Sequence, residues 1–545
     1  MSAPATTDTD DLRRDLERGD AYGRGATGGG GATAVVETRT THLSWVFIVG
    51  DDVWKVKRPV DFGFLDFRTP EARRHACEEE VRLNRRLAPD VYLGVEPVCR
   101  GARGHAIGGD GTAVDWAVHM RRLPDAAAAA SLLARGALAA GALVRLADVM
   151  SAFLEAAPVR SELGTLDVLR DNVAENFAQV EPFVGDLVDA GTFAEVRAYQ
   201  TSALEQGADV FRARAAARRV REGHGDLRLE HVYFLPGAGG APQPTIIDCI
   251  EFNERFRCGD VASEIAFLAM ELEAARRPDL AAGFLARFAE ASNDFQLYGV
   301  LDFYLSYRAW VRGKVAAFVA ADPAAGAVVR RHKREEAARN FALARSFEGR
   351  PLDPPAVIVV GGLIGTGKST LAVGLGRRLA APVVSSDRVR KALAGLAPTD
   401  RGDAALYEPA AVDGVYAQLM AAAATVVASG RSVILDATFS TRRWRAAAAA
   451  LARDRGARFA LVEARCPDRD VLRARLAGRR RTASVSDATD DLLASKQRSF
   501  EPFDAADGGP HFPIDTTVSP DAAVALAMAA LRRVGVLPAA ERCAS

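Results

Sequence analysis

Paired cysteines are missing from this chain of 545 residues. Its six cysteines, Cys77, Cys99, Cys249, Cys258, Cys466 and Cys543, form no C-x-x-C pair. That excludes a zinc ribbon or thioredoxin-type site, and thiols so sparse read as reduced rather than as a disulfide framework. Net charge is also missing, with 70 Lys+Arg against 70 Asp+Glu, which argues against a protein that coats a polyanion. The balance is a cancellation, acidic before residue 350 and basic after it. No run of 18 uncharged apolar residues occurs, and the Ala-rich stretch near 126–150 is broken by Arg135 and Arg145. The N-terminus lacks a cationic-then-apolar signal pattern, so no membrane partner and a cytoplasmic location are expected. Lysine is scarce: only Lys55, Lys57, Lys314, Lys333, Lys368, Lys391 and Lys496 occur, and all other basic residues are arginine. A lysine at a phosphate-binding position is then less easily accidental. What remains is ordinary, 49% hydrophobic and 26% charged, and the length implies two to four globular domains.

Residues 1–34 are polar and carry the run Gly28–Gly31, which reads as a flexible tail. AVVETRT (34–40), LSWVFIVG (43–50) and VWKVKRPV (53–60) then predict strands of a small antiparallel sheet. A helical pattern over about 71–87 precedes a β stretch at 114–123. Residues 126–221 and 260–347 read as mostly helical, with short strands at 231–235 and 244–250 between them. The segment EGRPLDPPA (348–356) holds three prolines and is the best boundary in the chain. Beyond it, strands at 356–361, 382–386, 431–437 and 458–464 alternate with helices, the signature of a parallel sheet covered by helices. The expected division is a tail over 1–34, one domain over 35–347, a linker over 348–356 and a second domain over 357–540.

The most specific motif is Gly362-Leu-Ile-Gly365-Thr366-Gly367-Lys368-Ser369, with Thr370 next in line. It matches G-x-x-x-x-G-K-[ST] between an apolar strand and a helix. Glycines let backbone N–H groups wrap phosphates, Lys368 reaches the terminal phosphates, and the Ser369 hydroxyl is placed for Mg2+. Ser385-Ser386-Asp387 ends the next strand, with Arg390 one turn on, so carboxylate and guanidinium share a helix face. Asp387 can take a proton from a hydroxyl, and Arg390 can steady phosphoryl charge. Asp436, ending RSVILDA, could support Mg2+. The cluster Arg473, Arg475, Arg479, Arg480 and Arg481 reads either as a lid over the phosphates or as a solvated helix face. Together these motifs resemble the small P-loop kinases related to gluconate kinase and polynucleotide 5′-kinase, over about 355–535. That resemblance implies Asp387 as general base and Arg475 or Arg479 as lid arginines.

The second constellation is His224-Gly225-Asp226-Leu-Arg228-Leu-Glu-His231, followed by IID ending at Asp248. An aspartate with a metal-ligand side chain five residues on, then a strand-end aspartate, is the layout of a kinase catalytic loop and its metal site. Such a site needs a strand lysine paired with a helix glutamate. Lys55 and Lys57 stand on one strand face, and period two cannot choose between them; the next helix offers Glu78, Glu79 and Glu80, of which Glu80 is the candidate. HGDLRLEH, IIDCIEF and the segment from Gly259 to Ala266 resemble the aminoglycoside phosphotransferase and choline kinase family. The segments ETRTTHLSWVFIVGDDVWKVKRPVDFGFLDF and RRHACEEEVRLNRRLAPDVYLGV resemble a bacterial group in which such a domain is fused to a P-loop kinase. The resemblance implies an N-terminal bilobal protein-kinase-like domain of α+β type, followed by an α/β P-loop domain. Three departures stand out: His231 where the family carries asparagine, no G-x-G-x-x-G loop, and Glu264 where aspartate is usual. Thr41-His42-Leu43-Ser44 would then cover the phosphates, with Ser44 among the nucleotide contacts, and His231 with Asp248 would hold the metal.

The expected function is ATP- and Mg2+-dependent transfer of the γ-phosphoryl to a hydroxyl of a small, sugar-like or amino-sugar-like molecule, by each half independently. One alternative is a single active P-loop kinase regulated by a nucleotide-binding kinase-like half. Another is polynucleotide 5′-end phosphorylation by the C-terminal half. The surplus of arginine sits in the lid cluster without interleaved aromatics, so no nucleic-acid partner is expected. Nothing in the sequence sets an oligomeric state.

Overall fold

A computed structural model describes residues 6–22, 35–41, 43–61, 63, 65–109, 111–323, 325–348, 354–397, 400, 402–479 and 500–538. The chain divides into two compact units. The first comprises Met1–Val168 with Arg214–Glu271, and the second Leu169–Ala213 with Leu272–Ser545.

The first unit is built on a six-stranded antiparallel sheet: β1 (Val36–Thr40), β2 (Ser44–Val49), β3 (Asp52–Lys57), β4 (Tyr92–Gly101), β5 (Gly104–Ile107) and β6 (Thr112–Arg121), in the order β1–β2–β3–β6–β4–β5. Three strands were expected in succession and a fourth later; β4 and β5 complete the set. Alternation explains why LSWVFIVG reads as nearly continuous apolar sequence. Trp45, Phe47 and Val49 of β2, with Trp54 and Val56 of β3, face one core, while Val53 of β3 packs into another with Cys77, Val81, Val118 and Met120. Both faces are therefore covered. The cover on the first face is the helix Thr6–Leu16 with the turn Gly19–Ala21, which inserts Leu12, Leu16, Ala21 and Tyr22.

This corrects the expectation of a flexible tail over 1–34, since Leu12, Leu16, Ala21 and Tyr22 belong to the core; residues 1–5 and 23–34 lie outside the described ones. Asp15 accepts from the His105 backbone N–H at 2.9 Å and pairs with its ring at 2.8 Å, and Tyr22 donates to the Leu16 carbonyl at 2.6 Å. Leu16 is fully buried, so Leu16→Ala is expected to cost about 3 kcal/mol. Urea unfolding followed by the fluorescence of Trp45 and Trp54, which share its cluster, checks this, and an unchanged midpoint would return the segment to a tail.

The helix Pro70–Asn84 lies on the other face, capped by Thr69, whose hydroxyl accepts from the Ala72 N–H. Short antiparallel ladders follow: β7 (Val220–Glu222) with β10 (Cys258–Asp260), and β8 (Val232–Pro236) with β9 (Pro242–Ile246). Arg214 and Asp260 form a buried two-bond pair at 2.7 Å for each bond.

In the second unit, β11 (Ala356–Gly361), β12 (Val383–Ser385), β13 (Val433–Asp436), β14 (Arg458–Arg465) and β15 (His511–Asp515) make a wholly parallel sheet ordered β12–β13–β11–β14–β15. β11 is central, and all six of its residues are buried. Helices 278–292 and 301–321 belong to this unit, so its limit does not fall at the proline-rich stretch. Arg431 donates to both Asp302 oxygens at 2.7 and 3.3 Å, and Glu290 accepts from the Val383 N–H at 2.9 Å. The latter bond satisfies an edge strand that would otherwise lack a partner there. Among the described residues one helix, Pro409–Ala428, is long and apolar enough to cross a membrane. Its Val415, Tyr416, Leu419, Ala423 and Val426 are buried, and its Tyr416 stacks on Trp444 at 4.7 Å.

Candidate functional site

In the first unit, β3 presents Lys55 and Lys57 toward Glu80 of the helix Pro70–Asn84. Lys55 donates to Glu80 Oε1 at 2.9 Å and to Asp248 Oδ1 at 2.7 Å; Lys57 donates to Glu80 Oε2 at 2.5 Å and to Glu251. Glu80 is fully buried, whereas Glu78 and Glu79 turn outward to Arg74 and Arg82. Burial opposes the Lys55 charge, yet Asp248, Glu80 and Glu251 outweigh it and hold its pKa well above the ordinary value. Burial likewise raises the Glu80 pKa, but the two lysines outweigh it, so the carboxyl stays below its usual range. The surrounding protein disfavours the charge of Asp248 as well, but Lys55 and then His231 outweigh this and hold its carboxyl below the usual range. Asp248 adopts a left-handed backbone, φ 67°, rare for a non-glycine residue and a form of strain that concentrates at functional sites.

The loop carrying Asp226 is held on several sides. Gly225, at φ 84°, leaves no room for a Cβ, which would lie 2.8 Å from the Phe256 carbonyl oxygen. Its N–H donates to Glu264 Oε2 at 3.0 Å, so the longer glutamate serves this fold by capping the loop. His224 is buried, and burial, then the charge of His231, push its pKa down to about 4. The neutral ring donates from Nε2 to the Ile247 carbonyl (2.9 Å) and accepts the Asp226 N–H at Nδ1 (3.3 Å). Two backbone bonds donated from the Asp248 segment, Ile247 N–H to His231 O at 3.0 Å and Ile250 N–H to His224 O at 3.1 Å, tie it to the Asp226 loop. His231 Nδ1 lies 2.9 Å from the Asp226 carbonyl oxygen, which makes Nδ1 the donor and leaves Nε2 facing Asp248 Oδ2 at 3.5 Å. Ser44 stands opposite Lys57 across β2 and β3; it is fully buried and its hydroxyl has no hydrogen-bond partner among the described residues. His42 lies outside them.

In the second unit the phosphate-binding loop leaves the carboxyl end of the central strand, the usual ligand position in an open parallel sheet. A Cβ on Gly362 (φ 138°) would stand 2.5 Å from the Ala464 carbonyl oxygen, and one on Gly365 2.7 Å from Leu472. The φ of 85° at Gly367 turns the chain into the helix Lys368–Leu379. Lys368 and Ser369 are half-buried, and Thr370 is exposed. Asp436 is buried at the end of β13, in register with Val360 and with Ser385. Two residues past Ser385, Asp387 accepts from Arg390 at 2.6 Å, and the guanidinium lies 4.7 Å from the Tyr407 ring. Arg475 reaches the loop as well: it donates to the Thr516 hydroxyl at 3.2 Å, and Thr516 donates to the Thr366 carbonyl. The side chain of Arg479, and Arg480 and Arg481, lie outside the described residues. Tyr407, against Arg390, and Glu251, against Lys57, stand at these sites although no sequence motif marks them. For Glu251 a signal existed, because two lysines on one strand face need more than one carboxylate.

Fold and site define the class: an antiparallel-sheet unit that carries the Lys55–Glu80 pair, joined to a P-loop unit with a parallel sheet. A family model described as an AAA domain matches residues 357–503. Over 480 residues the chain is 33% identical to "Uncharacterized protein Rv2004c" of Mycobacterium tuberculosis (strain ATCC 25618 / H37Rv), a match spanning 86% of this chain and 91% of that one. It stands in the same relation to "Uncharacterized protein Mb2027c" of Mycobacterium bovis. The chain belongs to the family of these mycobacterial proteins. Among solved structures, a gluconokinase from Sinorhizobium meliloti is 20% identical, covering 34% of this chain and 95% of its own, with a TM-score of 0.24. The Plasmodium vivax ethanolamine kinase is 10% identical, covering 56% and 82% respectively, with a TM-score of 0.35.

Proposed function

We propose that this protein is a bifunctional phosphotransferase, each unit moving the γ-phosphoryl of ATP to a hydroxyl of a small, sugar-like or amino-sugar-like molecule. The observation that supports the reading is that each unit contains a lysine and two aspartates to which the roles of phosphate holder, base and metal support are assigned. These are Lys55, Asp226 and Asp248 in one, and Lys368, Asp387 and Asp436 in the other. In each, the acceptor O–H gives its proton to the base aspartate while its oxygen bonds to the γ-phosphorus. The bond from that phosphorus to the β–γ bridging oxygen breaks, and ADP leaves.

The donor sets bear on Mg2+. Among the described residues no group of three or more His, Cys, Asp or Glu side chains is arranged to hold a metal. His231 Nε2 and Asp248 Oδ2, 3.5 Å apart, fit as two protein positions of an ion that would take its other ligands from phosphate and water, the common habit of Mg2+; in the second unit Ser369 and Asp436 would be the residues to hold one. The chemistry supplied there is neutralisation of phosphate charge. The protein's part is positional: Lys55 and Lys368 hold phosphates, and Asp226 and Asp387 orient the acceptor.

Labelled-ATP turnover by the full chain, run against sugars, amino sugars, polyols and nucleosides, tests the proposal with Asp226→Asn and Asp387→Asn. Each variant is expected to remove one acceptor activity by about 10³-fold and leave the other. Loss of all turnover in either variant would sink the two-site reading. His231 supports one further reading, a nucleotide-sensing first unit. ATP binding that survives Lys368→Ala, with no turnover on any acceptor, would favour it.

A further inference from the structure

We infer that Lys57 and Glu251 are a positioning pair that keeps Glu80 in place while Lys55 engages the nucleotide; the inference rests on the phosphotransfer reading of the first unit's site. Glu80 is shared: one of its oxygens takes Lys55 at 2.9 Å and the other takes Lys57 at 2.5 Å. The two lysines are otherwise unlike. The second partner of Lys55 is Asp248, whose side chain is 44% exposed, and Lys55 itself is 16% exposed. The second partner of Lys57 is Glu251, and these two side chains are 6% and 1% exposed, with Glu251 the former.

A phosphate oxygen can replace Asp248 on Lys55 from the open side. It cannot reach Lys57 without displacing two buried carboxylates, so Lys57 is not a phosphate ligand. Once Lys55 turns toward phosphate, Glu80 loses part of its counter-charge. A buried carboxylate without a partner is strongly disfavoured. Lys57 supplies the remaining charge, and Glu251 holds Lys57 in position. Glu251 lies three residues after Asp248, on the loop that also bonds through Cys249 N–H to Asn84 Oδ1 at 2.9 Å. The pair thus ties strand β3 and the Glu80 helix to the loop that bears Asp248. It accounts for two lysines on one strand face where a single phosphate contact needs one.

The test uses the full chain carrying Lys368→Ala, so that the first unit's site is read alone, with a fluorescent ATP analogue for binding and ADP release for turnover. Lys55→Met is expected to weaken analogue binding about tenfold or more. The double variant Lys57→Met with Glu251→Met, which removes the buried charges together, is expected to keep binding within about threefold and lower kcat about tenfold. Glu251→Gln, a smaller change should the double variant fold poorly, is expected to show the same split more weakly, and Lys57→Arg to retain most of kcat. Thermal melting is followed for each. If the double variant loses binding as Lys55→Met does, Lys57 is a phosphate ligand and the inference fails. If kcat is unchanged in both the double variant and Glu251→Gln, the pair is only structural and the inference fails. If Lys55→Met changes neither binding nor turnover, the reading of the site itself falls and takes the inference with it.

Discussion

Lys368→Ala is expected to lower phosphotransfer by the second unit about 10³-fold, the scale of removing a fixed charge aimed at a developing phosphoryl charge. The side chain opens the helix Lys368–Leu379 from a loop whose glycines leave no space for other residues, so the ammonium is delivered by a rigid turn. Alanine has high helix propensity, so the helix persists and folding is expected to stay near the parent. Measured in an Asp226→Asn background, the loss belongs to the second unit alone. Thermal stabilisation by ATP, which reports binding to the folded state, is expected to shrink with it. Turnover within about threefold of the parent would show that this lysine does not hold the transferred group.

The second large effect concerns stability. Arg445 and Asp507 are both fully buried, with Nε and Oδ1 2.9 Å apart. The guanidinium also donates to the Phe439 carbonyl at 2.8 Å and to the Glu501 and Pro502 carbonyls at 3.0 Å each, and it lies 4.5 Å from the Phe503 ring. Arg445→Leu removes the nearest cation from a buried carboxylate, which keeps Arg442 at 3.5 Å and the Asp504 N–H at 2.9 Å, and leaves three carbonyls without their donor, at an expected cost of about 4 kcal/mol. The double change Arg445→Leu with Asp507→Leu is expected to recover part of that, because it removes the stranded charge. Urea unfolding of both variants decides the matter. Equal midpoints for Arg445→Leu and the parent would mean that the segment 500–507 is held by something else. Phe503 packs so closely on Gly361, where an added Cβ would lie 2.5 Å from the ring, that the strand end feeding the phosphate loop is expected to loosen too.

Legibility varied with how local the information was. The phosphate-binding loop was plain in the sequence, because its glycines, lysine and serine act through backbone geometry confined to eight residues. The alternation of strands and helices after residue 356 was plain for the same reason. β4 was not: Gly94 and Pro97 interrupt its pattern, yet Gly94 sits where the register against β6 shifts and Pro97 pairs with Trp116 in an unbroken stretch. The helix Thr6–Leu16 was hidden by its polar residues, although two apolar faces on β2 and β3 implied a cover on each side. The choice of Glu80 over Glu78 and Glu79 follows from which side of its helix packs on the sheet.

By its residue types and spacing alone, the sequence determined that the chain carries a G-x-x-x-x-G-K-S loop after an apolar strand, aspartates at loop and strand ends in each part, and strand–helix alternation in its second part. Those features depend on neighbours a few residues away, where periodicity and backbone freedom suffice. The tertiary structure alone decided which lysine faces the open side, that Glu251 pairs with Lys57, and that helices 278–292 and 301–321 share a unit with the parallel sheet. Those depend on burial, set by residues far apart in the chain: Lys57 and Glu251 stand 194 positions apart and meet only when the sheet and the Asp248 loop close on Glu80.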